Sequence, residues 1–164
     1  MRKITLLVLM VVFAMGFTFE LSAQKTGFNG KWKFDPGKSI VPEYTPVLMR
    51  IEVTVKGDSL LTERYYDTGD GQIYPFTENL TLDGKEYKVT IYEMPRKSKA
   101  SWSETEGAII MESTTTINDY SGPLDFISKE TWKADAKNKT LVISFKNSMG
   151  GNGSEGQFFL TKIE

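Results

Sequence analysis

Residues 28–35 read Phe28-Asn29-Gly30-Lys31-Trp32-Lys33-Phe34-Asp35, and this stretch decides the fold because it opens the folded part of the chain. A glycine two residues ahead of a tryptophan suits a backbone that turns tightly and then begins a strand. The indole ring is large enough to fill one end of a hydrophobic core. We therefore predict that the first strand begins at Gly30, and that Gly30 and Trp32 form a structural plug.

The chain beyond this stretch has the composition of an all-β domain. Short segments rich in β-branched and aromatic residues alternate with Gly, Asp, Asn and Pro, and no stretch keeps a helical spacing. The predicted strands are residues 30–34, 47–56, 59–66, 73–82, 86–92, 100–105, 108–117, 126–134, 140–146 and 157–163. The pattern also predicts a hairpin turn at Asp83-Gly84, a basic loop after Pro95, and loops over residues 118–123 and 149–156.

Most of the predicted strands are joined by short links, which force sequence neighbours to pair antiparallel. A meander of this length tends to curl and close, because closure removes the exposed strand edges. An immunoglobulin-type sandwich is the competing fold, but it needs long crossover links, for which the chain offers at most two candidates. We predict an antiparallel up-and-down β-barrel of about 8–10 strands.

Residues 1–23 have the pattern of a secretory signal peptide. Arg2 and Lys3 precede the apolar run of residues 4–19, and small residues suited to cleavage stand directly before Gln24. A retained membrane anchor is the alternative, but the run is shorter than the ~20 residues that a spanning helix needs. A lipid anchor would require a cysteine where Gln24 stands. The pattern predicts cleavage and export, to the periplasm or as a secreted protein, with no membrane span after processing.

Residues 24–164 are then expected to form a single domain. Removing Arg2, Lys3 and Glu20 from the 20 basic and 21 acidic residues of the whole chain leaves 18 and 20, a nearly neutral balance. Because there is also no basic run, nucleic acid is not an expected partner.

The chain contains neither cysteine nor histidine. Thiol catalysis, disulfides and thiolate metal sites are therefore excluded, as are catalytic triads and zinc sites that depend on imidazole. We expect no metal and no cofactor. Any catalysis would have to use carboxylates, tyrosines, lysines or a bound hard cation.

The opening residues resemble those of a known group of barrels. Gly30-Lys31-Trp32 resembles the Gly-x-Trp signature of lipocalins, and residues 28–34 also resemble the opening of fatty-acid-binding proteins, the lipocalins' ten-stranded relatives. Residues 32–39 are similar to the start of small exported bacterial lipocalin-like domains of unknown function. The resemblance to these calycin barrels implies a closed end plugged by Trp32 and an apolar ligand in an open cavity. Lys162 is the nearest match to the basic residue that packs across the tryptophan in lipocalins.

Several predicted strands place polar residues on a face that otherwise points inward. If Trp132 faces the interior, strand alternation places Glu130 there too, and a buried carboxylate needs a partner. Arg64 is a candidate partner, although the inward face of residues 59–66 is left open by the sequence. A mostly apolar cavity with a few polar anchors is typical of small-molecule sites. The candidate cavity residues are Arg64, Tyr66, Tyr87, Met111, Ser113, Thr115, Glu130 and Trp132.

These observations favour a non-catalytic barrel that binds a small apolar or amphipathic molecule in its interior. The alternative is a packed barrel whose rim loops bind a protein or glycan. A third possibility is an enzyme that uses Glu130 with a tyrosine or Arg64 as an acid/base pair. A cavity larger than about 300 Å³ would separate the first hypothesis from the second.

Overall fold

The computed structural model describes residues 24–120 and 122–164; the predicted signal peptide lies outside them. The described chain is an all-β barrel, as predicted. Its ten strands are β1 (Gly30–Phe34), β2 (Val47–Lys56), β3 (Ser59–Asp67), β4 (Ile73–Thr81), β5 (Tyr87–Ile91), β6 (Met94–Ser103), β7 (Ala108–Asp119), β8 (Gly122–Asp135), β9 (Thr140–Met149) and β10 (Asn152–Lys162).

The strands run up and down in one antiparallel sheet, ordered β4-β3-β2-β1-β10-β9-β8-β7-β6-β5. The first strand closes the barrel by pairing with the last, with Trp32 opposite Lys162 and Phe34 opposite Leu160. All other pairs join strands that are consecutive in the sequence. The consecutive strands β4 and β5 do not pair, and they form the two edges of the sheet. The prediction of an up-and-down barrel is confirmed.

The hairpin predicted at Asp83-Gly84 is wrong, because β4 and β5 do not pair with each other. The backbone does turn there, and Gly84 has a φ of 82°. However, Asp83 bridges to Ser101 and the Gly84 N–H donates to the carbonyl of Ala100. The connection therefore hydrogen-bonds to β6, and the barrel is left nearly closed with a seam between β4 and β5.

Two predicted loops are parts of strands. β6 begins at Met94 instead of residue 100, so the basic segment after Pro95 is a strand. Pro95 is tolerated as the second residue of the strand, where it pairs only with the edge strand β5. The glycine-rich segment is likewise a tight hairpin between β9 and β10, turning at Gly150 and Gly151, whose φ angles are both positive.

The predicted loop over residues 118–123 is also mostly strand. β7 and β8 stay paired up to Asp119 and Gly122, so their connection is only two residues long. In β2 the register shifts between Leu48 and Arg50, which marks a bulge. Leu48 is consequently buried and Met49 is exposed, the reverse of what uninterrupted alternation predicts.

Trp32 lies at one end of the barrel, and its role as a plug stays a prediction. It is fully buried, and its indole N–H donates to the carbonyl of Phe28 over 2.9 Å. The ammonium of Lys162 lies 5.4 Å from the centre of its ring. Gly30 has a φ of 138°, and a Cβ there would lie 2.5 Å from both the Glu164 carbonyl oxygen and Lys162 Cε. Only glycine fits this position without displacing its neighbours.

The barrel half around Trp32, here called the closed half, has a filled apolar core. Beneath it, residues 24–26 form a helical turn. Phe28 meets the Trp102 ring edge to face, and Lys25 lies over the same ring and pairs with Asp58. Other fully buried large side chains of this half are Ile51, Leu60, Leu80, Ile109, Trp132, Leu141, Ile143 and Leu160. In the parts of the chain that are described, no helix has the length and apolar character that crossing a membrane requires.

Candidate ligand-binding site

The other half of the barrel, here called the open half, contains a cavity of about 430 Å³. It lies at the end where β3 meets β4, β5 meets β6 and β7 meets β8, opposite Trp32. Its wall is mainly aromatic and aliphatic, and its polar groups are few. The lining residues are Thr45, Pro46, Arg64, Tyr66, Thr68, Tyr74, Phe76, Ile91, Tyr92, Met94, Arg96, Thr115, Ile117, Phe126, Ser128, Glu130, Phe145, Asn147 and Phe158.

Aromatic rings form most of the wall. Tyr66 of β3 and Phe76 of β4 are diagonal neighbours across the two strands, and they stack with their centres 5.8 Å apart and their planes nearly parallel. On the other side, Phe145 stacks on Phe158 with centres 4.8 Å apart. Such rings offer a large apolar surface at little cost in side-chain entropy.

The floor of the cavity is a buried ion pair between β3 and β8. The Arg64 guanidinium donates from Nη1 and Nη2 to the two oxygens of Glu130, over 2.9 and 3.1 Å. Nη1 also donates to the Tyr66 hydroxyl, and the indole N–H of Trp132 donates to Glu130 Oε2 over 2.7 Å. This two-pronged geometry is the strongest form of an arginine–carboxylate contact.

A second buried pair joins β4 to β6 across the seam. Arg96 donates from Nε to Glu78 over 2.9 Å and from Nη1 to the Thr115 hydroxyl over 2.9 Å. The Ser98 hydroxyl donates to the same carboxylate. Arg64 Nε lies 3.9 Å from Glu78, too far for a hydrogen bond but close enough to couple the two pairs into one four-charge cluster.

The charges that surround Glu78 and Arg64 favour the ionised form of both groups. Burial by itself would raise the pKa of Glu78, but the neighbouring Arg96 and Arg64 guanidinium groups outweigh it and leave this pKa below its ordinary value. Burial likewise opposes the charge of Arg64, and Glu130, Tyr66 and Glu78 together raise its pKa. Burial raises the pKa of Tyr66, so its hydroxyl stays protonated at neutral pH. Two arginines and two glutamates make up the cluster, so their formal charges balance.

Four of the eight predicted cavity residues line the cavity: Arg64, Tyr66, Thr115 and Glu130. The face of β3 that carries Arg64 and Tyr66 is therefore the one that points into the barrel. The pattern had also suggested that Arg64 and Glu130 meet, and they do. Their contact with a ligand stays a prediction.

The other four predicted residues lie outside the cavity lining. Trp132 and Met111 are fully buried beneath the floor, where they contact Glu130 and Arg64. Ser113 is buried deeper in the barrel than Thr115, one inward position along β7. Tyr87 lies at the seam, and its hydroxyl is 3.0 Å from that of Thr81.

Sequence reasoning missed the second ion pair. Arg96 was assigned to a loop because Pro95 precedes it, although Arg96, Ser98, Ala100 and Trp102 keep the alternation of a single strand. Glu78 was not singled out either. The apolar residues Phe76 and Leu80 lie two positions before and after Glu78, so all three share one face of the strand. This alternation was the signal that could have identified Glu78 as an inward residue.

No protein family model, no curated protein and no solved structure matches the chain. Its nearly closed, ten-stranded antiparallel fold is nonetheless compatible with a calycin-like barrel. Within residues 24–120 and 122–164, no group of three or more acidic side chains is placed to hold a metal ion. The chemistry of the cavity is that of a hydrophobic enclosure with a neutral hydrogen-bonding floor.

Proposed function

We propose that this protein is an exported, lipocalin-like barrel that binds a small apolar or amphipathic molecule in its open half without transforming it. The observation that carries the proposal is the cavity of about 430 Å³, walled by aromatic rings and floored by buried polar groups. This volume lies in the range of known ligand pockets, which run from about 300 to 1,000 Å³. A barrel that served only as a scaffold would gain stability by filling this space.

The chemistry of the floor favours binding over catalysis. Glu78 is held ionised by two guanidinium groups, so it is a poor proton donor near neutral pH. Both oxygens of Glu130 accept hydrogen bonds from Arg64, and one of them also accepts from Trp132. These hydrogen bonds orient the Glu130 carboxylate, and they use the oxygen atoms with which it would otherwise act on a substrate.

Export is part of the proposal and rests on residues 1–23. Their charged start, apolar run and small residues before Gln24 are the pattern of a cleaved signal peptide. Mass determination of the protein isolated from its host tests this directly. We expect the mature chain to begin at Gln24, and an intact N-terminus with the protein retained inside the cell would contradict export.

Native mass spectrometry of the protein purified from its host tests ligand binding. We expect a bound small molecule that is released on denaturation. In parallel, the uncharged fluorophore N-phenylnaphthylamine should bind and be displaced by an extract of the host's lipids. If the protein carries no adduct and takes up no probe, the proposed function is wrong.

A matched pair of variants ties the probe to the cavity. Ser128 lines the cavity, whereas Ser148 is exposed on the outer face of the neighbouring strand. We expect Ser128→Phe to fill the space and weaken probe binding at least about tenfold, while Ser148→Phe leaves it unchanged. Equal effects of the two variants would place the probe outside the barrel.

A second candidate is a rim-loop module that contacts a protein or glycan, and one observation favours it. Tyr44 is 96% exposed, and Ile73 and Tyr92 are also exposed at the rim of the open half. Large exposed side chains of this kind can mark an interaction surface. The Ser128→Phe variant separates the two candidates, because it fills the cavity and leaves the rim loops intact.

A further inference from the structure

The chemical class of the ligand can be inferred from the hydrogen bonds that the cavity floor has already made. This step rests on the proposed function, since it concerns what the same cavity accepts. The floor contains two arginines, which at first sight suggests a site for an anion such as a carboxylate. The contacts of each guanidinium lead to the opposite conclusion.

The terminal N–H groups of Arg64 are already used within the protein. Its four terminal N–H groups are directed at Tyr66, Met111 and the two oxygens of Glu130. Its fifth, on Nε, is buried 3.9 Å from Glu78 and has no hydrogen-bond partner among the described residues. A ligand carboxylate would have to displace Glu130, which would leave that carboxylate and the Trp132 indole N–H without their partner.

Arg96 is also bound by protein groups, but only in part. Glu78 takes its Nε and Nη2 groups and Thr115 takes one N–H of Nη1, so three of its five donors are used among the described residues. The positive charges of Arg64 and Arg96 are thus balanced by Glu78 and Glu130. An anion entering the cavity would be desolvated with no net charge to receive it.

The floor still has single hydrogen-bonding groups to offer. Tyr66 accepts a hydrogen bond from Arg64, which leaves its own O–H free to donate towards a ligand. Two N–H groups of Arg96 remain. Asn147 lines the cavity, and its buried Oδ1 has no hydrogen-bond partner in the described part of the chain. The floor therefore presents both donors and an acceptor, which suits a group that can donate and accept at once.

We propose that the cavity selects an uncharged molecule with an aromatic or aliphatic body and a hydroxyl or amide head, and that it discriminates against the corresponding carboxylate. The stacked rings of the wall bury the body, and Tyr66, Arg96 and Asn147 receive the head. The two glutamates set this selectivity by neutralising the arginines that would otherwise attract an anion.

The test compares naphthylmethanol with naphthoate, which share one ring system and differ in carrying a hydroxymethyl group or a carboxylate. Isothermal titration calorimetry at neutral pH gives both affinities for the protein. We expect the alcohol to bind at least about tenfold more tightly. Equal or tighter binding of naphthoate overturns the inference while leaving the proposed function intact. Binding of neither also overturns it for this ligand class, and the host-adduct experiment then decides the proposed function separately.

A variant of the floor sharpens the test. Glu130→Gln keeps the shape of the side chain but leaves Arg64 with an unbalanced charge, so naphthoate affinity should rise about tenfold relative to the alcohol. Glu112→Gln is the matched control, because Glu112 pairs with Lys99 on the outer face of the barrel and its loss changes net charge equally. If both variants shift naphthoate binding alike, the effect is one of overall charge and the inference is wrong. If Glu130→Gln does not fold, Glu78→Gln makes the same test beside Arg96.

Discussion

The closed and open halves of the barrel are built from the same ten strands, with the same alternation of inward and outward side chains. In the closed half the inward positions hold Trp32, Trp132 and branched aliphatic residues that fill the interior completely. In the open half they hold charged groups and aromatic rings that line a cavity. One architecture can therefore hold a filled core at one end and a cavity at the other, because inward side chains at opposite ends of a strand do not touch.

The four-charge cluster marks the boundary between the two halves. Arg64, Glu78, Arg96 and Glu130 are buried side chains, yet each has a partner of opposite charge. A buried ion pair of this kind is weak support for stability, because desolvating the charges offsets most of their attraction. Its retention in the interior therefore fits a role in the cavity better than a role in the core.

The largest expected difference between the halves is the cost of removing a large side chain. Trp32→Ala leaves a void in a filled core, so it should lower the free energy of unfolding by about 3–5 kcal/mol. Phe126→Ala only enlarges a cavity that is already present, and we expect it to cost less than about 2 kcal/mol. Urea denaturation measures both. Equal costs would show that the halves do not differ in packing.

A smaller effect concerns two glycines with positive φ. Gly30→Ala forces a Cβ to within 2.5 Å of Glu164 and Lys162 atoms at the closed end, and should cost about 2–4 kcal/mol. Gly69→Ala, in the open half, meets nothing within 4 Å and should cost only the conformational strain, about 1–2 kcal/mol. Thermal unfolding of both variants separates steric closure from backbone strain. A Gly30→Ala protein no less stable than Gly69→Ala would contradict the tight closure.

The smallest effect is the dependence of stability on pH at the boundary. Because folding lowers the pKa of Glu78, its ion pairs contribute fully above the ordinary glutamate pKa of 4.5. That contribution is lost as the pH falls from this value through the folded pKa. Urea unfolding between about pH 6 and pH 3 should show a steeper loss in the wild type than in Glu78→Gln.

The matched control for this measurement is Glu112→Gln. The pKa of Glu112 is also lowered, but its partner Lys99 lies on the solvated outer face. Exposed pairs are screened by water and contribute little. We expect Glu112→Gln to change the pH profile less than Glu78→Gln does, and the opposite order would place the coupled charges outside the barrel.

Much of the fold was predictable from local pattern. The bounds of β1 and β2 are those predicted, because Gly30, the prolines before Val47 and the Gly57-Asp58 turn mark them in the sequence. The predicted strand bounds were wrong where a local sequence signal was overridden by pairing with neighbouring strands. Pro95 suggested a loop, but β6 continues through it because β5 and β7 supply its pairing. The bulge at Leu48 and Arg50 had no signal in the alternating pattern.

Part of the cavity floor was predictable for the same reason. Strand alternation tied Glu130 to Trp132, and the need of a buried carboxylate for a partner pointed to Arg64. Alternation gives the face of a residue but not its height in the barrel. Trp132 and Met111 were therefore predicted in the cavity although they lie beneath its floor.

The all-β class, the meander and the glycine–tryptophan opening follow from the amino-acid sequence alone, because they depend on residue spacing and on the conformations that glycine and proline allow. Only the tertiary structure decided that β4 and β5 stay unpaired, that Glu78 meets Arg96 across that seam, and that the cavity lies opposite Trp32. Those features depend on which strands come together around the barrel, and contacts between residues distant in sequence leave no periodic trace in the chain.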